Sequence, residues 1–161
     1  MRICLYPSLP GQGPKSSKNH KTMNSQNLKI HETQFSVPFY DLDPMRMVWH
    51  GNYLKYFDTT RAELFYNAGF DPLEYFKKTN FLFPITRTST KHIVSLHYRD
   101  EFKCRATVAE AEYKIVVAFE IRLIKDNQLC TRGRSEQVAV KYPDMEIQFE
   151  IPDDIRKALG F

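Results

Sequence analysis

The chain has 161 residues and a mass of 19.0 kDa, which bounds it to one domain with a hydrophobic core of its own. Aromatic residues make up 14%, with 12 Phe and 9 Tyr, which excludes disorder over most of the length. The net charge of +4 suits an anionic ligand, but there is no dense Lys/Arg run and no nucleic-acid-binding motif, so no nucleic-acid partner is expected. Cys4, Cys104 and Cys130 show no CxxC spacing, so neither a disulfide framework nor a structural zinc site is expected. Cys104 and Cys130 fall in apparent strands, where reduced, buried thiols are the expectation. No apolar run approaches the roughly 20 residues that span a bilayer, so no membrane span is expected. The opening Met-Arg-Ile-Cys-Leu-Tyr-Pro is too short and too proline-broken for a signal peptide, and a cytoplasmic location is expected.

In chain order, residues 1–33 carry Pro7, Pro10, Gly11, Gly13, Pro14, paired serines and scattered lysines, and they read as a flexible tail. Met23 lies just ahead of the folded part, so residues 1–22 read as an upstream start or an added sequence. Residues 34–161 form the domain. Residues 34–40 are β-prone, with Phe35, Val37 and Phe39 on one face. A loop over 41–51 follows, then a helix over 52–68 with its apolar stripe on Tyr53, Phe57, Leu64 and Ala68. Asn52 is the expected N-cap, and Gly69 supplies the left-handed residue that ends the helix. A short helical turn over 71–78 leads into strands at 85–98 (one or two), 102–113, 115–123 and 129–142. Residues 115–123 alternate most clearly. Pro152 fits the first turn of a short final helix ending near Leu159. Strand, long helix, then antiparallel strands is an α+β order, with the helix packed on one curved sheet.

The chemistry concentrates in Tyr40-Asp41-Leu42-Asp43-Pro44-Met45-Arg46-Met47-Val48-Trp49-His50-Gly51-Asn52-Tyr53-Leu54, with Phe57 and Arg61 downstream. Two carboxylates, an imidazole and an amide stand in a loop that feeds a helix N-terminus. The first N–H groups of a helix lack intrahelical partners and can hold an anion or a developing oxyanion. A carboxylate beside them could attack an acyl carbon or take a proton from water, a combination that points to acyl transfer.

Asp-x-Asp-Pro followed by Val-Trp-His-Gly-Asn-Tyr-Leu, Phe57 and Arg61 resembles the signature of hotdog acyl-CoA thioesterases of the 4-hydroxybenzoyl-CoA thioesterase family. The resemblance is dense over residues 40–61 and extends as an order of elements over 34–157. It implies a hotdog fold, a curved antiparallel sheet wrapped around one long central helix. It also implies hydrolysis of an acyl-CoA or acyl-carrier-protein thioester. Asp43 maps to the catalytic carboxylate, and His50 to the residue whose backbone N–H meets the thioester carbonyl. Trp49, Gly51, Asn52, Tyr53 and Arg46 are the expected substrate-binding residues. No cofactor is implied beyond the CoA or phosphopantetheine of the substrate. Two subunits are expected to pair into a homodimer, with a dimer of dimers as the larger alternative. Arg46 stands where many relatives have glycine.

Each residue also has a plainer reading. Asp43 before proline is a common turn signal, and Asp41 is expected to stabilise the loop by bonding backbone N–H groups. Tyr53, Phe57 and Phe65 are expected in the core. Arg61 needs an acceptor, with Glu63 or a partner chain expected to supply it. His31, His50, His92 and His97 lack metal-ligand spacing, and His92 and His97 receive no role. Arg87, Lys91, Arg99, Lys103 and Arg105 form a loose basic set, read first as a solvated sheet face and second as a source of contacts to CoA phosphates. Gly133 implies a bulge or a close backbone approach. The competing functional readings are a hotdog hydroxyacyl dehydratase and a non-catalytic acyl-thioester-binding module.

Overall fold

A computed structural model describes residues 30–161, and the reading of residues 1–29 as a tail lies outside the described residues. The chain opens with β1 (Ile30–Ser36), which starts four residues earlier than the pattern indicated. It then turns through the hairpin loop into α1 (Tyr53–Asn67), followed by α2 (Pro72–Thr79). The remaining elements are β2 (Phe81–Leu82), β3 (Ile85–His92), β4 (Glu101–Glu110), β5 (Ile115–Leu123), β6 (Leu129–Gln137), β7 (Val140–Lys141), β8 (Glu146–Ile147) and α3 (Asp153–Ala158).

Five strands form one sheet in the order β1-β4-β5-β6-β3, every pairing antiparallel. Alternation sets its two faces. Phe102, Cys104, Ala106 and Val108 of β4 point inward, while Lys103, Arg105 and Thr107 face out. The inward residues meet α1, which packs chiefly on β1 and β4. This is the hotdog arrangement. Phe57 of α1 stacks on Phe119 of β5, with ring centroids 4.5 Å apart. Burying a side chain of this size contributes roughly 1.5–3 kcal/mol. Gly133 of β6 makes the contact possible, since a Cβ there would lie 2.3 Å from the Phe57 ring. Of the two readings offered for Gly133, close approach is the observed one.

One end of α1 follows its sequence signal and the other does not. Asp71 caps α2, its Oδ1 accepting from the N–H groups of Leu73 at 2.9 Å and Glu74 at 3.2 Å. Gly69 follows α1 at φ +79°. Asn52, by contrast, has helical dihedrals and makes no side-chain cap, because a 3-10 turn over His50–Asn52 runs directly into α1. The strand expected over 129–142 breaks at Gln137, and Val140–Lys141 joins a second sheet in the order β2-β7-β8. The edge strand β3 is exposed along all of its 8 residues, and among the described residues it pairs only with β6. Among the described residues no helix is long and apolar enough to cross a membrane.

Candidate active site

Residues 41–49 form a small hairpin that carries the loop's carboxylates to the start of the helix. Leu42 and Val48 bridge antiparallel, and the Trp49 N–H donates to the Asp41 carbonyl at 2.9 Å. At the tip, the Asp43 N–H donates to the Met47 carbonyl at 2.8 Å. The Asp43 side chain closes the turn, its Oδ1 accepting from the N–H groups of Met45 at 2.8 Å and Met47 at 3.3 Å. Among the described residues Oδ2 accepts no hydrogen bond. One carboxylate oxygen is thus fixed to the backbone. The turn requires φ +62° at Arg46, a left-handed conformation that favours glycine.

Asp41 does a different job. It is 2% exposed and its carboxylate accepts from Tyr56 Oη at 2.6 Å and from Lys55 Nζ. Its carbonyl takes the Trp49 N–H and Asn52 Nδ2, both at 2.9 Å. The expected structural role is met through side chains of α1, whereas backbone donors were expected. Burial first, then the Asp41 carboxylate, pushes the Tyr56 phenol far above its ordinary value, so it remains a donor. This cluster ties the hairpin to the first turn of α1.

Asp43 and Arg46 line an open cavity of about 640 Å³ with Phe39, Tyr40, Leu42 and Tyr98. Its walls are apolar and exposed, Phe39 at 74% and Tyr40 at 82%. Trp49, His50 and Gly51 stand apart from this cavity, at the helix start. The Trp49 ring covers Gly51 so closely that a Cβ there would meet it at 2.2 Å. The Trp49 ring also packs on the His50 ring, with centroids 4.9 Å apart. Among the described residues, the backbone N–H groups of His50 and Gly51 have no hydrogen-bond acceptor, as the opening of a helical turn requires. His50 lies three residues, and Gly51 four, beyond Met47, the residue that faces Asp43 across the hairpin. Asn52 and Tyr53 turn into the fold: Tyr53 is 2% exposed and its hydroxyl accepts from the Leu96 N–H at 3.3 Å.

His92 was given no role by its sequence position, yet it joins this end of the molecule. Its ring meets Tyr53 edge-on, with centroids 4.5 Å apart, and Nδ1 lies 3.4 Å from Thr131 Oγ1. Desolvation, and secondarily the nearby His50, lower its pKa, which keeps the imidazole neutral near pH 7. Only the pairing of β3 with β6, which sets His92 against Thr131, could have signalled this. The expected basic set is scattered: Arg87 and Lys91 lie on β3, Arg99 stacks on Tyr98, and Arg105 faces Glu32 at 3.9 Å. A tighter cationic rim combines Lys91 with Arg132 and Arg134 of β6 around a cavity of about 270 Å³. Arg61 pairs with Asp58 at 2.9 Å, while Glu63 bonds His31 and Thr33. No group of three or more metal-ligating side chains occurs among the described residues.

A curved antiparallel sheet around one helix, with an acidic hairpin at the helix entrance, defines a hotdog protein of the thioesterase type. The chain belongs to the Thioesterase-like superfamily, whose family profile matches residues 37–159. Solved structures share the fold at low identity. The 4-hydroxybenzoyl-CoA thioesterase of Pseudomonas sp. strain CBS-3 is 20% identical with a TM-score of 0.72, covering 81% of this chain and 99% of that one. A 1,4-dihydroxy-2-naphthoyl-CoA thioesterase from Synechocystis is 17% identical with a TM-score of 0.72, covering 81% and 95%. The DHNA-CoA thioesterase of Staphylococcus aureus is 22% identical with a TM-score of 0.69, covering 74% and 80%. No curated protein matches this chain in sequence.

Proposed function

We propose that the protein hydrolyses an acyl-CoA or acyl-carrier-protein thioester to a free acid and a thiol, with Asp43 as the acting carboxylate. The observation that carries this reading is the asymmetric anchoring of Asp43. Oδ1 is held by two backbone N–H groups, and Oδ2 is unbonded at the mouth of an apolar cavity. As general base, Oδ2 takes a proton from water while the oxygen of that water adds to the thioester carbonyl. As nucleophile, it adds directly and forms a mixed anhydride that water then cleaves. In both routes the C–S bond breaks, the thiolate leaves and takes up a proton, and the same oxygen acts. The N–H groups of His50 and Gly51 are suited to the oxyanion, and removing one such donor typically costs about 10²–10³ in rate. The reaction uses substrate and water, with no further cofactor. The three structural relatives described above are aryl-CoA thioesterases, which favours an aromatic acyl group, and the aromatic walls of the cavity accord with that. Lys91, Arg132 and Arg134 are suited to the CoA phosphates. Buried, unpaired Cys104 and Cys130 suit a reducing compartment, and the cytoplasm is the proposed location.

The test is thiol release from a panel of aromatic and aliphatic acyl-CoA and acyl-carrier thioesters. Asp43→Asn keeps one acceptor for the turn and is expected to lower kcat by about 10²–10⁴ with little change in melting temperature. Unchanged turnover in Asp43→Asn would remove the assignment, and a wild type inert on every thioester would leave a binding module. We also propose a homodimer. Among the described residues, the exposed edge of β3 carries unpaired backbone groups that a second copy can pair. Sedimentation equilibrium is expected to give at least twice the 19.0 kDa chain mass, and a monomer at micromolar concentration would count against the pairing.

A further inference from the structure

We infer that Asp41, together with Tyr56, is a positioning residue for the hydrolysis proposed above: the bond between them sets where the Asp43 turn stands relative to the N–H groups of His50 and Gly51. This role rests on the hydrolytic reading and adds to it two residues that meet no substrate. Neither Asp41 nor Tyr56 lines the Asp43 cavity, and both are buried, at 2% and 5% exposure. Whatever they contribute to the reaction passes through other residues.

Asp43 and the two N–H groups belong to different elements. Asp43 stands on the outgoing arm of the hairpin, whereas His50 and Gly51 open the 3-10 turn that runs into α1. Main-chain contacts hold the returning arm to the fold: the Val48 N–H donates to the Leu96 carbonyl at 2.9 Å, and Met47 bridges His97. The outgoing arm is tied to the helix through Asp41. Its Oδ2 accepts from Tyr56 Oη at 2.6 Å, its Oδ1 from Lys55 Nζ, and its carbonyl from Asn52 Nδ2 at 2.9 Å. All three donors fall within residues 52–56, directly after the two N–H groups. Lys55 Nζ also lies 5.8 Å from the centroid of the Tyr40 ring, a wall of the cavity. Stability alone does not call for a carboxylate at this point. Burying a charge costs desolvation, and well-packed apolar groups of similar volume hold elements together at least as firmly. A carboxylate adds direction, since with a phenol on one oxygen and an ammonium on the other it admits one placement of the chain. Placement counts here, because a shift of about 1 Å can cost on the order of 10²-fold in rate.

The experiment is steady-state kinetics of the full chain on the thioester that the wild type cleaves best, at a temperature well below the melting point of every variant. Asp41→Ala lowers kcat by about 10²-fold and Tyr56→Phe by about tenfold, each with KM within about twofold of the wild type. Asp71→Ala, which removes the cap of α2 and lies outside the hairpin and α1, is the control for lost stability and leaves kcat unchanged. In the Asp43→Asn background Asp41→Ala costs little more, because the carboxylate that it places no longer acts. Should Asp41→Ala fail to fold, Tyr56→Phe carries the same tests with its smaller loss. The inference is overturned if kcat is unchanged in the Asp41 and Tyr56 variants, or if their loss appears in KM alone. It is equally overturned if Asp71→Ala loses as much kcat, or if the losses multiply in full in the Asp43→Asn background. Each of these results leaves an active wild type and so leaves the hydrolytic reading standing. A wild type inert on every thioester would end that reading, and this role with it.

Discussion

Asp43 and Arg46 hold one turn under opposite constraints. The carboxylate stabilises the turn by taking two backbone N–H groups, whereas the arginine must adopt φ +62° to let the chain pass. A left-handed conformation costs a residue with a Cβ about 1–2 kcal/mol, and glycine returns roughly 0.5–1 kcal/mol of that through its extra freedom in the unfolded chain. Arg46→Gly is therefore expected to raise unfolding stability by about 0.5–1 kcal/mol in urea titration. A raised KM with unchanged kcat in the same variant would show the guanidinium acting on substrate; an unchanged KM would leave it a bystander of the turn. This part of the site was legible because its bonds are local. An Asp two and four residues from the N–H groups it accepts can be read from spacing alone. Tyr98 and His92 were not, because they reach the hairpin and the helix start only through contacts between segments some forty to sixty residues apart. The partner of Arg61 differs from the one expected because helix geometry decides it: Asp58, three residues back, shares its face, whereas Glu63, two residues on, points elsewhere and bonds β1.

At the level of elements, α1 can sit on the sheet only because β6 makes room for it. Phe57 is 2% exposed and lies between Phe119 and the bare backbone of Gly133, so it has no empty space to retreat into. Overpacking of this kind costs typically 1–3 kcal/mol. Gly133→Ala is expected to lose about that much in chemical denaturation, and Phe57→Leu in the same chain should recover part of it. Additive losses in the double variant would show that the two residues do not share the strain. The long strands were legible because alternation over nine or ten residues leaves no competing period. The two-residue strands β2, β7 and β8 were not, since nothing so short carries a period and their pairing is dictated by the surrounding chain. The start of α1 was read with the wrong cap for the same reason. Asn52 has the residue type of an N-cap, but its amide is drawn to the Asp41 carbonyl eleven residues back.

For the molecule as a whole, the composition that gives an aromatic core also sets its response to alkali. Burial raises the phenols of Tyr53 and Tyr56, and that of Tyr75 to about 12; Asp41 adds to the shift at Tyr56 and Asp154 to that at Tyr75. Burial also pushes the Cys104 thiol up to about 12. A group whose pKa is higher in the folded state keeps its proton there after the unfolded chain has lost it. Folding stability is then fully present below the ordinary values of 9.0 for the thiol and 10.0 for the phenols, and falls as pH rises toward the folded values. Urea titrations from pH 8 to 11.5 are expected to show a flat stability up to about pH 9 and a steepening loss above it. Tyr56→Phe removes one of these groups, so it should start from a lower stability at pH 8, having lost the bond to Asp41, and then decline more gently. Parallel curves for wild type and variant would mean that the Tyr56 phenol titrates alike in the folded and unfolded chains, and that the bond to Asp41 does not hold its proton.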